Sequence, residues 1–160
     1  MVRKQIDPIA QLMQEHDAAL QQLATLKKAT RAIAESGYTP GAFAKVAKAL
    51  RFIEEEVSTH NRSEEEALFP VLERYVEGPT AVMRREHRDM RREFRRLQAA
   101  VRRVRRTPRS KPAALELEEV AAGIVQRFVN HIHKENYILF PLVQKFLTRD
   151  ALREVARRMI

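Results

Sequence analysis

The sequence predicts an all-α fold: an up-down-up-down antiparallel four-helix bundle with a short fifth helix at its carboxyl end. Three observations lead to it. The four glycines and seven prolines cluster at a few places and leave long segments unbroken between them. Within those segments apolar residues recur at alternating steps of four and three, the period of a helix with one buried face. Finally, two stretches are near copies of each other at a shift of 71 residues, which carries His16 onto His87, His60 onto His131, Glu64 onto Glu135 and Phe69-Pro70 onto Phe140-Pro141. Such a repeat implies a pseudo-twofold molecule with halves at about 5–76 and 80–147 and a site where they meet.

The elements follow in order. A first helix is predicted over about 5–35, with Asp7 as its cap, Pro8 in its first turn and Ser36-Gly37-Tyr38-Thr39-Pro40 as its stop. The second runs over about 40–76 and ends at Glu77-Gly78-Pro79. The third covers about 80–106 and is followed by a polar, proline-bounded loop over 107–112. The fourth covers about 113–147, and Thr148 then caps a fifth that ends near 158. Short links between long helices make neighbours antiparallel. Pro70 and Pro141 fall inside helical stretches, where each is expected to kink its helix.

Length and composition favour one domain over 1–160, and a charged fraction of 32% marks a soluble chain. The opening segment lacks the apolar core of a signal peptide and no apolar run is long enough to span a bilayer, so a cytoplasmic location without a membrane partner is expected. Without cysteine, any metal must be held by nitrogen and oxygen.

Helical phase turns the repeated polar residues inward. On the third helix the apolar seam reads Met83, His87, Met90, Phe94, Leu97, Val101 and Val104. On the second it includes Val57, His60, Glu64 and Ala67; on the fourth Phe128, His131, Glu135, Ile138 and Leu142; on the first Leu12, His16, Ala19 or Leu20, and Leu23. An ionised carboxylate in such a seam is unfavourable by several kcal/mol unless paired or coordinated. No lysine or arginine on an apolar face offers itself as partner, whereas metal ions would stabilise both glutamates. The candidate ligands are therefore His16, His60, Glu64, His87, His131 and Glu135. In each His-x3-Glu pair the two side chains stand one turn apart on one helical face, which lets the glutamate bridge two metals. Assigning His16 and His60 to one ion and His87 and His131 to the other gives each four donors. An octahedral ion then keeps two positions for a bridging oxide or hydroxide and an exogenous ligand. Spacing alone admits iron, manganese or zinc.

The order His16, His60-x3-Glu64, His87, His131-x3-Glu135 on four helices resembles the hemerythrin-like, or HHE cation-binding, domain over essentially the whole chain. The resemblance implies a four-helix bundle around two iron ions in an oxo- or hydroxo-bridged non-haem centre. Oxygen-carrying hemerythrins have a further histidine four residues after the third-helix ligand, where this chain has Arg91, and a longer spacing to an aspartate in the last helix. The pattern is closer to the proteins for repair of iron centres. Those also carry an amino-terminal cysteine-containing domain, which the sequence given does not include. The expected function is binding or sensing a small ligand: oxygen, nitric oxide or peroxide. The alternatives are an iron-centre repair or peroxide-reacting enzyme, and an iron-storage or metal-stabilised structural module. Oligomeric state is left open.

Other features read as supporting structure. His133, two residues from His131, turns away from the seam. Glu54, Glu55, Glu56, Glu65 and Glu66 form a solvated acidic face; Glu15 and Glu86 could orient ligand histidines from behind, with a surface role the favoured reading. Tyr38, Tyr75 and Tyr137 read as ordinary packing. The net charge of +9 is concentrated on the arginine-rich third helix, where Glu86, Asp89 and Glu93 interleave as i,i+4 partners. No recognition helix or aromatic platform accompanies it, so sequence-specific nucleic-acid binding is not expected; weak polyanion binding is compatible with the charge. No nucleophile elbow or glycine-rich phosphate loop suggests catalysis apart from the metal.

Overall fold

The computed structural model describes residues 7–159. Among the described residues five helical elements make an all-α bundle. Helix α1 spans Pro8–Ser36, α2 residues 40–72, α3 Pro79–Arg106, α4 residues 111–146 and α5 Arg149–Arg158. Helix α1 packs against α2 and α4, α3 packs against α4, and α5 crosses onto α1 and the end of α2. Among the described residues no helix is long and apolar enough to cross a membrane.

Local chemistry sets the ends. The Asp7 carboxylate accepts from the amides of Ile9 and Ala10, Thr39 caps α2 through the amide of Ala42, Ser110 caps α4 through that of Ala113 and Thr148 caps α5 through that of Ala151. Gly37, at φ 92°, ends α1 in a conformation that favours glycine, while its amide donates to Ile33 O. The predicted start of the first helix at Gln5 lies outside the described residues. The second helix stops at Leu72, four residues earlier than expected, and 73–75 turn toward Gly78, whose φ is 119°.

The prolines are accommodated in a way that periodicity does not foresee. Ahead of Pro70 and Pro141 the chain takes one π-helical turn each, Glu64–Leu68 and Glu135–Leu139. There the amide of Phe69 reaches back five residues to Glu64 O, and that of Phe140 to Glu135 O. A π turn inserts one residue into the helical register. Downstream of Glu135 the buried set is accordingly Leu139, Phe140 and Val143, while Ile138, expected in the seam, is 56% exposed. A third π turn, Ile53–Val57, has no proline to explain it.

The six inward polar residues divide the core. One apolar cluster includes Leu23, Leu26, Leu97, Leu117, Ile124 and Phe128; the other, closed by α5, includes Leu12, Leu68, Phe69, Met83, Phe140 and Val155. On every long helix the polar positions fall between residues of the two clusters, as His87 does between Met83 and Met90.

Candidate metal centre

His16 comes from α1, His60 and Glu64 from α2, His87 from α3, and His131 and Glu135 from α4. All six predicted ligands are buried, and both glutamates are fully so. Their donor atoms form two groups, one of His16, His60, Glu64 and Glu135, the other of His87, His131, Glu64 and Glu135. Within each group the atoms lie inside 4.8 Å of one another. Both carboxylates belong to both groups.

The pairing of histidines read from sequence is the one that the geometry brings together. Nε2 of His16 is 3.1 Å from Nε2 of His60, and Nε2 of His87 is 3.1 Å from Nε2 of His131. Glu135 reaches across the gap: Oε1 lies 2.9 Å from His16 Nε2, and Oε2 lies 3.4 Å from His131 Nε2. Glu64 presents one oxygen to both sides, with Oε1 at 3.3 Å from His60 and 3.4 Å from His87. Two donors about 2.1 Å from a common ion and at right angles stand about 3.0 Å apart, so these separations suit adjacent positions around one cation per group.

Three of the four outer imidazole nitrogens have hydrogen-bond partners too. His16 Nδ1 donates to Asn136 Oδ1 at 2.7 Å, His87 Nδ1 to Glu65 at 2.8 Å and His131 Nδ1 to Glu86 at 3.3 Å, while His60 Nδ1 faces Glu15 at 3.5 Å. A hydrogen bond at Nδ1 orients the ring and leaves Nε2 for a metal. Glu15 and Glu86 thus take the histidine-orienting role that the sequence offered as the alternative to a surface one, Glu65, read as part of the solvated acidic face, also sits against a histidine, and Asn136 was missed altogether. The available signal was position, since Glu65 and Asn136 each follow the shared glutamate and Glu15 and Glu86 each precede a histidine. Phe140 stacks on His16 with ring centroids 5.4 Å apart, and Phe69 on His87 at 5.9 Å.

Other residues stay outside this layer. His133 is exposed and packs edge-on against Tyr137, itself 76% exposed; Tyr38 packs on Phe43. Arg91, where oxygen carriers have a histidine, is exposed and lies 3.8 Å from Glu65.

Charge inside the layer is unbalanced. Burial disfavours a charged imidazole at His60, yet Glu64, Glu135 and Glu15 outweigh it and hold its pKa well above the ordinary value. At His87 burial is likewise overcome, by Glu64, Glu65 and Glu135, and the pKa rises to about 9. Burial pushes the Glu135 carboxyl up, but the neighbouring Glu64 and the imidazoles of His131, His16 and His60 bring it well below the usual carboxylate range. The His87 hydrogen bond lowers Glu65 against its own partial burial, with help from Arg91 and Arg84. Among the described residues four buried side-chain atoms nonetheless lack any hydrogen-bond partner: His60 Nδ1, both oxygens of Glu64 and Oε2 of Glu135. Three are oxygens of the two carboxylates that both groups share, which a pair of cations would satisfy. The residues therefore fit a metal pair.

A cavity of about 80 Å³ adjoins the layer on its His16/His60 side. It touches His16, His60, His131 and Glu135, and its far wall is Phe52, Val57, Met90, Phe128 and Ile132.

A helical bundle with two buried His/Glu clusters that share both carboxylates is the architecture of a binuclear metal-binding protein. The model of the hemerythrin HHE cation-binding domain matches residues 7–143, and the chain belongs to that family. No curated protein matches it.

Proposed function

We propose that the clusters hold two iron ions, with His16 and His60 on one, His87 and His131 on the other and Glu64 and Glu135 bridging, and that this centre binds oxygen, nitric oxide or peroxide. One observation carries the reading: unpartnered buried carboxylate oxygens converge between two imidazole pairs beside a small, mostly apolar cavity. Organic substrates and cofactors fill pockets of several hundred Å³, whereas about 80 Å³ suits a ligand of two or three heavy atoms. The metals supply redox-active coordination for that ligand. The protein's part is to orient the imidazoles through their outer partners, to line the approach with Phe52, Val57, Phe128 and Ile132, and to keep bulk water from the centre.

The donor set favours ligand binding or sensing by a centre with more exchangeable coordination than that of the oxygen carriers, because exposed Arg91 adds no donor. The test is metal analysis followed by anaerobic reduction and exposure to oxygen, nitric oxide and peroxide in turn. A reversible charge-transfer band with at least one of them is expected. A chain loaded with two ions that develops no band with any of the three would sink the ligand-binding reading.

A further inference from the structure

The arginines of α3 are sorted by direction. Successive residues advance about 100° around a helix, and the buried face of α3 is set by Met83, His87, Met90, Leu97, Val101 and Val104. Opposite this face stand Arg85, Arg88, Arg92, Arg95, Arg102 and Arg106, all exposed, with Ala81 and Ala99 between them; the same arc holds Arg84, half-buried and paired with Glu73, and Arg103, paired with Glu116 on α4. No acidic residue of the helix falls on this arc. Glu86, Asp89 and Glu93 lie on the flank toward α4, where Glu86 is taken by Lys134 and His131, Asp89 by Arg92 and Glu93 by Arg96. The i,i+4 neutralisation expected from sequence is therefore replaced by two i,i+3 pairs and a contact to another helix. Among the described residues Arg85, Arg88, Arg95, Arg102 and Arg106 form no ion pair, and from Arg85 to Arg106 the stripe runs about 32 Å at 1.5 Å per residue.

A solvated helix normally mixes its charges to limit self-repulsion, and five unpaired guanidinium groups in one row suit a partner that is a regular row of anions. We propose that the outward face of α3 binds duplex nucleic acid through its phosphates, without reading sequence. Three features select this partner. The helix carries arginine and no lysine, and the guanidinium fork matches phosphate oxygens in pairs. The stripe has no aromatic residue on which the bases of a single strand could stack. It also has no large apolar residue to enter a bilayer, while its length approaches one turn of B-form duplex.

The test uses the metal-loaded chain, with fluorescence anisotropy on a labelled 20-base-pair duplex of mixed sequence. Five phosphate contacts give a log–log salt slope of about −4.5, so affinity should fall by about 500-fold between 50 and 200 mM salt. A second, unrelated duplex should bind within a few-fold of the first. The double variant Arg88→Gln/Arg95→Gln should reduce the slope by about 2. Arg149→Gln/Arg157→Gln removes the same charge from α5 and should leave the slope in place. Helicity and metal content, measured on every sample, separate this outcome from a fault in folding or in the metal centre. Equal losses in the two double variants would overturn the proposal. So would tighter binding of the corresponding single strand, or binding to phosphatidylserine vesicles without binding to the duplex.

Discussion

In the His16/His60 pair the outer ring nitrogens meet a neutral amide, Asn136 at 2.7 Å, and a more distant carboxylate, Glu15 at 3.5 Å. In the His87/His131 pair both meet carboxylates, Glu65 at 2.8 Å and Glu86 at 3.3 Å. The inner faces are almost the same, with Nε2 atoms 3.1 Å apart in each pair and a phenylalanine stacked on His16 and on His87. A carboxylate at Nδ1 makes an imidazole a stronger donor than an amide does. One scaffold thus presents two sets of imidazoles expected to differ in donor strength, and the small cavity touches both histidines of the weaker set and His131 of the stronger one, but not His87. The tighter set is suited to anchoring an ion, and the weaker one to exchanging ligand.

Removing a shared residue and removing an unshared one should differ most. Glu135 touches both sets with separate oxygens, so Glu135→Ala should reduce bound metal from two ions per chain to less than one. His16→Ala should retain the ion between His87 and His131. Elemental analysis of desalted protein reads the difference, and circular dichroism verifies that each variant is helical. Full loading of Glu135→Ala would break the assignment of that residue as a bridge, and His16→Ala losing both ions would mean that the sets do not fill independently.

The bundle and its six inward polar residues were legible in the sequence because helical period alone decides which side of α1 to α4 is buried, and ligands betray themselves by interrupting an apolar seam. The region just past each glutamate was not legible. A uniform helix places Ile138 in the seam, but the π turn before Pro141 advances the register by one residue and buries Leu139 instead. The same kind of turn begins at Glu64, and Glu65, which an unbroken register assigns to solvent, lies against His87. Leu139→Ala should therefore cost about 2–5 kcal/mol, whereas Ile138→Ala should cost under about 1 kcal/mol. Denaturant unfolding of the metal-free chains separates them, and the reverse order would restore the uninterrupted helix. The turn at Ile53–Val57 has no such signal in its composition, although Val57, which lines the cavity, falls in the seam read from period.

Each set also holds one imidazole with a raised pKa, His60 in the first and His87 in the second. The sign follows from linkage. A histidine at 6.5 in the unfolded chain and about 9 in the fold adds stability that is whole below pH 6.5 and is lost as pH climbs through 9. For His87 this amounts to roughly 3 kcal/mol across the window. Metal-free protein should unfold more easily at pH 9 than at pH 6.5, while the loaded protein, whose imidazoles have surrendered those protons to bind cations, should change little. Chemical denaturation at both pH values, with and without metal, reads this. A metal-free chain equally stable at both would mean that the buried carboxylates do not hold these rings protonated.

The finest probe exchanges the outer partners themselves. Glu65→Gln keeps a hydrogen-bond acceptor for His87 Nδ1 but removes its charge, and loss of such a partner costs about 10- to 100-fold in metal affinity. The loss should fall on the tighter of the two binding steps. Asn136→Asp makes the opposite change beside His16 and should strengthen the weaker step by a comparable factor, so that the double exchange brings the two steps together or inverts them. Competition titration with a chromophoric chelator resolves both constants. If Glu65→Gln weakens the two steps equally, the carboxylate acts through overall charge and not through the ring it touches, and the inequality of the two sets must come from the inner faces.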